Sequence, residues 1–431
     1  MSFSPALTFY RALSWIAGAG AGAWLDARAR RGKEDPARIG ERYARYATAR
    51  PTGALTWLHA ASIGESGVAL TLIEALAARD PSLSFLLSTG TRTSAELVAR
   101  RGPPRTTHIY APLDRRDVVR RFFDHWRPDL GVFVESEVWP NLILEAQTRG
   151  VALALVNARM SPKSLQQWRS LPAAAQRLLN AFAFVSAADA RTATALTGLR
   201  GEPVRALGNL KLAAPAPHID QQARDALAAD IGARPVWLAA STHQGEEVVA
   251  LNAHDILRKT FAAALLIIVP RHPDRGEDIS HLAGGAPQRS HGKSSTGAPV
   301  YVADTLGELG MFYDLAPVSL VAGSLLPHLK GHNPVEPAKI GSAMINGPYV
   351  ESFQDLFDEL FAAGGAITAR TAEELAEGVA RLWTDEAARL RQVEAARAIV
   401  AKGAAAAEQT LAALQALLPA RAESRAADAS A

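Results

Sequence analysis

An apolar run ends in the stretch "HAASIGES" (59–66), where Glu65 follows a glycine at the turn from a strand into a helix. A carboxylate in that place can do either of two things. It can cap the helix by accepting backbone amides, or it can take a proton from a bound hydroxyl while the helix dipole and amide donors keep it ionised. Other polar clusters recur along the chain: "VESEVWPN" (134–141), "NARMSPKS" (157–164), "LGNLKL" (207–212), "ASTHQGEE" (240–247), "VPRHPDR" (269–275), "DTLGELGMFY" (304–313) and "KGHNPVEPAKIGS" (330–342). The later clusters suit a nucleoside monophosphate. Amides near Pro334 can hold a phosphate, Glu336 in the following first turn can take a ribose diol, and Arg271 and His272 offer cationic donors. Read blandly, Glu336 is a helix-dipole acid and Arg271 half of a surface ion pair.

The same sequence argues against several other chemistries. There is no HExxH or DxD pair, so a zinc or magnesium site is not expected, although His59, His243, His272 and His332 lie on separate loops that could converge. "GES" and "AGS" do not form a G-x-S-x-G elbow, and "GAGAG" (18–22) follows no strand, which removes the serine hydrolase and dinucleotide fingerprints. Cysteine is absent, so disulfides, thiolate ligands and a cysteine nucleophile are excluded.

The elements that must position these clusters follow from hydrophobic pattern. Short continuous apolar runs alternate with helix-length segments from residue 54 to 188, and again from 235 to 348. Continuous runs mark parallel strands covered on both faces, so each series reads as a doubly wound α/β domain. All eight clusters fall at predicted strand exits, where open parallel sheets bind ligands. The expected layout is an N-terminal segment 1–50, a Rossmann-like domain 51–212, a linker 213–234 containing "AAPAP", a second Rossmann-like domain 235–417 and a disordered tail 418–431. A cleft between the two domains would face the strand exits of both.

At 431 residues, 46 Lys and Arg oppose 43 Asp and Glu, yet residues 1–50 alone carry nine basic against four acidic side chains. A nucleic-acid binder would spread such charge over its body, so nucleic acid is not an expected partner. The excess flanks "ALSWIAGAGAGAWL" (12–25), which as helix is about 21 Å long, short of a bilayer core of about 30 Å. A buried first helix is one reading and a signal peptide, without a convincing cleavage site, another. We expect a helix lying on or dipping into a membrane, with the basic run 28–50 against anionic headgroups.

Taken together, "HAASIGE", "ESEVWPNLI", "NARMSPKS", "GNLK", "STHQGEE", "VPRHPDR", "DTLGEL" and "AGSLLPHLKGHNPVEPA" resemble the transferases of 3-deoxy-D-manno-octulosonic acid (Kdo), in order and from about residue 35 to 400. The resemblance implies a GT-B fold and an inverting, metal-independent transfer of Kdo from CMP-Kdo to a lipid A precursor of lipid IV-A type, in lipopolysaccharide synthesis. It also implies no cofactor and a place at the cytoplasmic face of the inner membrane. It assigns the general base to Glu65 and charge stabilisation to Glu135 and Lys211. CMP contacts fall on Pro270, Arg271, Leu306, Gly307, Glu308, Asn333, Pro334, Val335 and Glu336. Departures are mild: Leu306 stands for a common methionine, Gln244 for glutamate, Ala322 for the first glycine of "GGS", and "ESFQD" (351–355) differs from "NF[KR]D". A GT-B enzyme using a UDP-sugar and a non-catalytic lipid A or nucleotide binder are the rival readings.

Overall fold

A computed structural model describes residues 4–135 and 138–419, and these fold as two compact units. The first comprises residues up to Ala214 together with those from Lys402 onward; the second is Pro215–Ala401.

The first unit is built on seven strands: β1 (Leu55–Ala60), β2 (Ser84–Thr89), β3 (Thr106–Tyr110), β4 (Leu130–Val134), β5 (Ala152–Ala158), β6 (Phe184–Ala187) and β7 (Arg205–Ala206). Every pairing is parallel, in the order β3-β2-β1-β4-β5-β6-β7. Leu55, Trp57, Leu58 and Phe133 are fully buried, which explains why β4 is apolar throughout and β1 mostly so. The strand order reverses between β1 and β4, so their carboxyl ends flank a crevice; these are the ends that carry Glu65 and Glu135.

The second unit repeats the plan with β8 (Val236–Thr242), β9 (Leu265–Pro270), β10 (Val300–Val302), β11 (Val318–Val321), β12 (Ala343–Asn346) and β13 (Ala366–Thr368), ordered β10-β9-β8-β11-β12-β13 and again all parallel. Its reversal lies between β8 and β11. No helix or strand is formed between Leu282 and Val300, the stretch 284–299 having the composition of a surface loop.

Two boundaries differ from the sequence reading, the linker and the end of the second domain. Residues 213–234 are more than a linker, because helix Gln221–Ile231 buries Leu227 and Ile231 in the core of the second unit. The Ala-rich stretch 372–417 is two helices, Ala372–Thr384 and Glu386–Leu417, interrupted at Asp385. The last of these leaves the second unit: Ala406, Leu411 and Leu414 pack with Val68, Leu72 and Ile73 of helix Ile63–Arg79 in the first. Gly403 permits the close approach, since a Cβ there would lie 2.4 Å from the carbonyl carbon of Leu212. Of the expected tail 418–431, residues 420–431 lie outside the described residues.

The apolar stretch 12–25 belongs to a longer helix, Pro5–Arg30, and no helix among the described residues is long and apolar enough to cross a membrane. One side of this helix is fastened to the first unit. Tyr10 donates to Asp114 at 2.9 Å, Asn141 donates to the Ser14 hydroxyl, and Leu7 and Leu25 are buried. Phe9, Leu13 and Trp24 share another stripe and are exposed.

Candidate functional site

Glu65 sits in the first turn of helix Ile63–Arg79, with Ser62 as N-cap. The Ser62 hydroxyl accepts from the Glu65 amide and donates to its Oε1 at 2.8 Å, and the Ala61 amide donates to Oε2 at 2.7 Å. This is a capping box in which the glutamate reaches one residue further back than usual. The cap and the base therefore use the same side chain. Each carboxylate oxygen has two acceptor positions, so neither of these hydrogen bonds by itself fills an oxygen.

Glu135 follows β4 with φ 62°, in the left-handed region that costs a non-glycine residue about 1–2 kcal/mol. The turn aims its carboxylate at Lys211, whose Nζ lies 2.7 Å from Oε1. The lysine stem passes over the start of the Glu65 helix: a Cβ on Gly64 would be 3.6 Å from Nζ. Thus Glu65, Glu135 and Lys211 converge at the reversal point of the first sheet. Ser136 and Glu137, within "VESEVWPN", lie outside the described residues.

Two buried side chains that organise these loops had no assigned role from sequence. Asn157, φ 53°, sits where the β5–β6 register shifts, a bulge at the strand exit. Its Nδ2 donates to Glu135 Oε1 at 3.3 Å and its Oδ1 accepts from the Leu210 amide at 2.9 Å, tying the Glu135 turn to the Lys211 loop. In the second unit, fully buried Glu246 accepts amides from His243, Gly323, Ser324 and Leu325, joining the β8 and β11 exits. The signals were present, an asparagine at a strand end and an acid just after a glycine, but only the fold reveals which amides they meet.

Beyond the ends of β1, β2 and β3, the helix Pro5–Arg30 roofs a cavity of about 240 Å³ lined by Trp24, Arg28, His59, Ala61, Leu113 and Trp139. Ala61 is the residue whose amide holds Glu65. Asp114 also faces this cavity, and burial raises its carboxyl above the usual range against the amides of Asn141 and Leu142 that it caps. Much of the basic N-terminal charge is consumed internally: Arg28 and Arg42 bind buried Glu34, Arg38 binds Glu41 and Arg50 binds Asp129. Arg30, Arg31, Lys33 and Arg45 remain exposed.

In the second unit Pro270 ends β9 and is buried, while Arg271 is exposed, its amide bonded to the Thr242 carbonyl. Asn333 accepts from the Val335 amide through Oδ1, and Pro334 precedes the six-residue helix Val335–Ile340 with Glu336 in its first turn. Burial and the charge of Glu336 raise the Tyr313 hydroxyl above its usual range. Leu306 is exposed and Gly307 adopts φ 85°. Glu308 is turned to Arg289 and Thr305, and its hydrogen bond to Arg289 holds its carboxyl below the usual range. Glu308 and Arg289 also line a groove with Asp230, Lys293 and Tyr301. Among the described residues no three His, Asp or Glu side chains form a group able to hold a metal ion.

Two sheets of this strand order on one chain define the GT-B class. The crystal structure of a glycosyltransferase from Rickettsia africae ESF-5 has the same fold, with a TM-score of 0.53 at 10% identity over 85% of this chain and 99% of that one. Residues 37–214 match the family described as 3-deoxy-D-manno-octulosonic-acid transferase (kdotransferase). A probable 3-deoxy-D-manno-octulosonic acid transferase, mitochondrial, of Arabidopsis thaliana is 35% identical over 76% of each chain. The 3-deoxy-D-manno-octulosonic acid transferase of Rickettsia bellii (strain RML369-C) is 33% identical over 80% of this chain and 83% of its own. The chain belongs to the 3-deoxy-D-manno-octulosonic acid transferase family, and is a glycosyltransferase.

Proposed function

We propose that this chain is an inverting, metal-independent transferase that moves Kdo from CMP-Kdo to a lipid A precursor of lipid IV-A type, with Glu65 as general base. The observation that carries the reading is the convergence of Glu65 with the Lys211–Glu135 pair at a sheet reversal point. An acceptor sugar hydroxyl loses its proton to Glu65 as its oxygen attacks the anomeric carbon, and CMP leaves from the opposite face. General-base assistance of this kind is worth roughly 10²–10⁴-fold. Lys211 balances the donor's negative charge, and Glu135 holds Lys211 while favouring the cationic centre that develops. CMP binds the second unit through Pro270, Arg271, Leu306, Gly307, Glu308, Asn333, Pro334, Val335 and Glu336.

A lipid acceptor is supported by the apolar cavity beside Ala61 and by the exposed Phe9, Leu13 and Trp24. With exposed Arg30, Arg31, Lys33 and Arg45 they form a surface suited to an anionic bilayer, at the cytoplasmic face of the inner membrane. The test is product analysis with purified enzyme, CMP-Kdo and a tetraacyl lipid A precursor in the presence of EDTA. The expected product carries Kdo with inverted anomeric configuration. Transfer from a UDP-sugar but not CMP-Kdo, or dependence on added magnesium, would overturn the reading.

A further inference from the structure

Three imidazoles meet at the reversal point of the second sheet. His243 follows β8, His272 follows β9 and His332 lies on the loop after β11. The rings of His243 and His332 are stacked, with centroids 5.0 Å apart and their Nε2 atoms at 2.9 Å. His272 meets His243 edge-on at 5.9 Å, next to exposed Arg271. The arrangement is built in. Ser241, φ 60°, lies where the β8–β9 register shifts, and Glu246 locks the following turn with four amides. His332 lies flat on Gly323, where a Cβ would come within 2.5 Å of its ring.

The Nε2 atoms of His243 and His332 lie at hydrogen-bond distance, so one ring donates and the other accepts. With His243 the donor, its Nδ1 is the nitrogen able to take a further proton without breaking the pair. Burial holds His243 below the ordinary imidazole range and brings His332 down to about 4. Arg271 and His272 from the β9 exit press the same way, while Glu246 and Glu247 on the following helix oppose them for His243. The free site is therefore poor in protons, although its geometry can hold one.

We propose that His243 is a donor-site residue that takes a proton from solvent as the anionic part of the sugar nucleotide arrives beside Arg271, while neutral His332 positions it. The incoming anion supplies the charge that burial denies, so nucleotide binding and proton uptake are coupled. This assignment rests on the CMP-donor reading.

The test is titration calorimetry of CMP with the full chain at pH 6.5, in buffers of different ionisation enthalpy. The phosphate of CMP titrates in this range for every variant, so the quantity read is the difference between wild type and H243Q. The glutamine can still donate to His332 but cannot be protonated. Wild type should take up about half a proton more than H243Q, the most that a rise of about one pKa unit gives. Its CMP affinity should also gain about tenfold more between pH 8 and pH 6, the equivalent of about one unit of pKa shift on binding. Cytidine, lacking the phosphate, should give no such difference. Circular dichroism and melting of H243Q and H243N show whether the fold is retained, and H243N repeats the titration with a shorter side chain. Equal uptake by wild type and both variants, or loss of uptake in H272Q instead, would overturn the assignment while leaving the donor reading standing. Failure of wild type to bind CMP would refute the donor reading and this inference with it.

Discussion

Asn157→Ala tests whether the Glu135–Lys211 pair is held in place by the loops beneath it. The variant removes the acceptor of the buried Leu210 amide, whose stranding costs about 1–3 kcal/mol. It removes the long bond to Glu135 Oε1, and it places alanine at φ 53°, a conformation that costs a Cβ-bearing residue about 1–2 kcal/mol and asparagine less. Together these predict a loss of about 3 kcal/mol. Asn157→Gly should recover about 1 kcal/mol of it, because glycine accepts the left-handed backbone. Six of the eight tryptophans, at positions 15, 24, 57, 126, 139 and 168, belong to the first unit, so fluorescence-monitored urea unfolding reports chiefly on it. With Lys211 no longer fixed, turnover should fall at least about tenfold, while CMP affinity stays constant because the proposed nucleotide contacts lie in the other unit. An Asn157→Ala enzyme within 1 kcal/mol of wild type and fully active would refute the idea of a clamp. Glycine no better than alanine would refute the backbone part alone.

Two further outcomes follow from charge. His254 is buried and neutral, accepting from the Trp237 indole and facing the Pro299 carbonyl, and burial brings it down to about 4 from 6.5. Its folded value lies below its unfolded one, so the unfolded chain binds more protons on acidification and stability is lost as pH falls from 6.5 toward 4. At pH 5 the loss from this residue is about 2 kcal/mol, and His254→Gln should flatten that part of the pH–stability curve; an unchanged slope would contradict it. Replacing Arg30, Arg31, Lys33 and Arg45 by glutamine should weaken binding to anionic vesicles by about 1 kcal/mol each, with a shallower salt dependence. Unaltered sedimentation with vesicles would contradict the assignment of this surface.

The strands were largely legible in the chain, because parallel strands buried on both faces are written as unbroken apolar runs; β1 through β6 and β8 through β12 fall within a few residues of those runs. β7 and β13, of two and three residues, were too short to leave a pattern. The return of residues 402–417 to the first unit was hidden for another reason. An Ala-rich amphipathic helix declares that it has a buried face, and only Gly403 against Leu212 decides which surface receives it. Likewise Glu65, Glu135 and Lys211 could be named from motifs. The bond from Asn157 to the Leu210 amide, the Gly323, Ser324 and Leu325 amides on Glu246 and the pairing of His243 with His332 join residues 53 to 89 positions apart, which no local pattern records. The cations of the N-terminal segment illustrate the reverse case. Their number suggested a headgroup surface, but four of them are spent on Glu34, Glu41 and Asp129.

Glu65→Gln tests the central claim most directly. The amide can keep its oxygen on the Ala61 N–H and present its NH₂ to the Ser62 hydroxyl, so the cap survives at a cost of about 1 kcal/mol. It cannot accept a proton from the attacking hydroxyl. Turnover of CMP-Kdo onto a lipid A precursor should fall by about two to four orders of magnitude, with CMP affinity unchanged and the melting temperature nearly so. Wild-type turnover accompanied by a lowered melting temperature would contradict the account and leave Glu65 a helix cap.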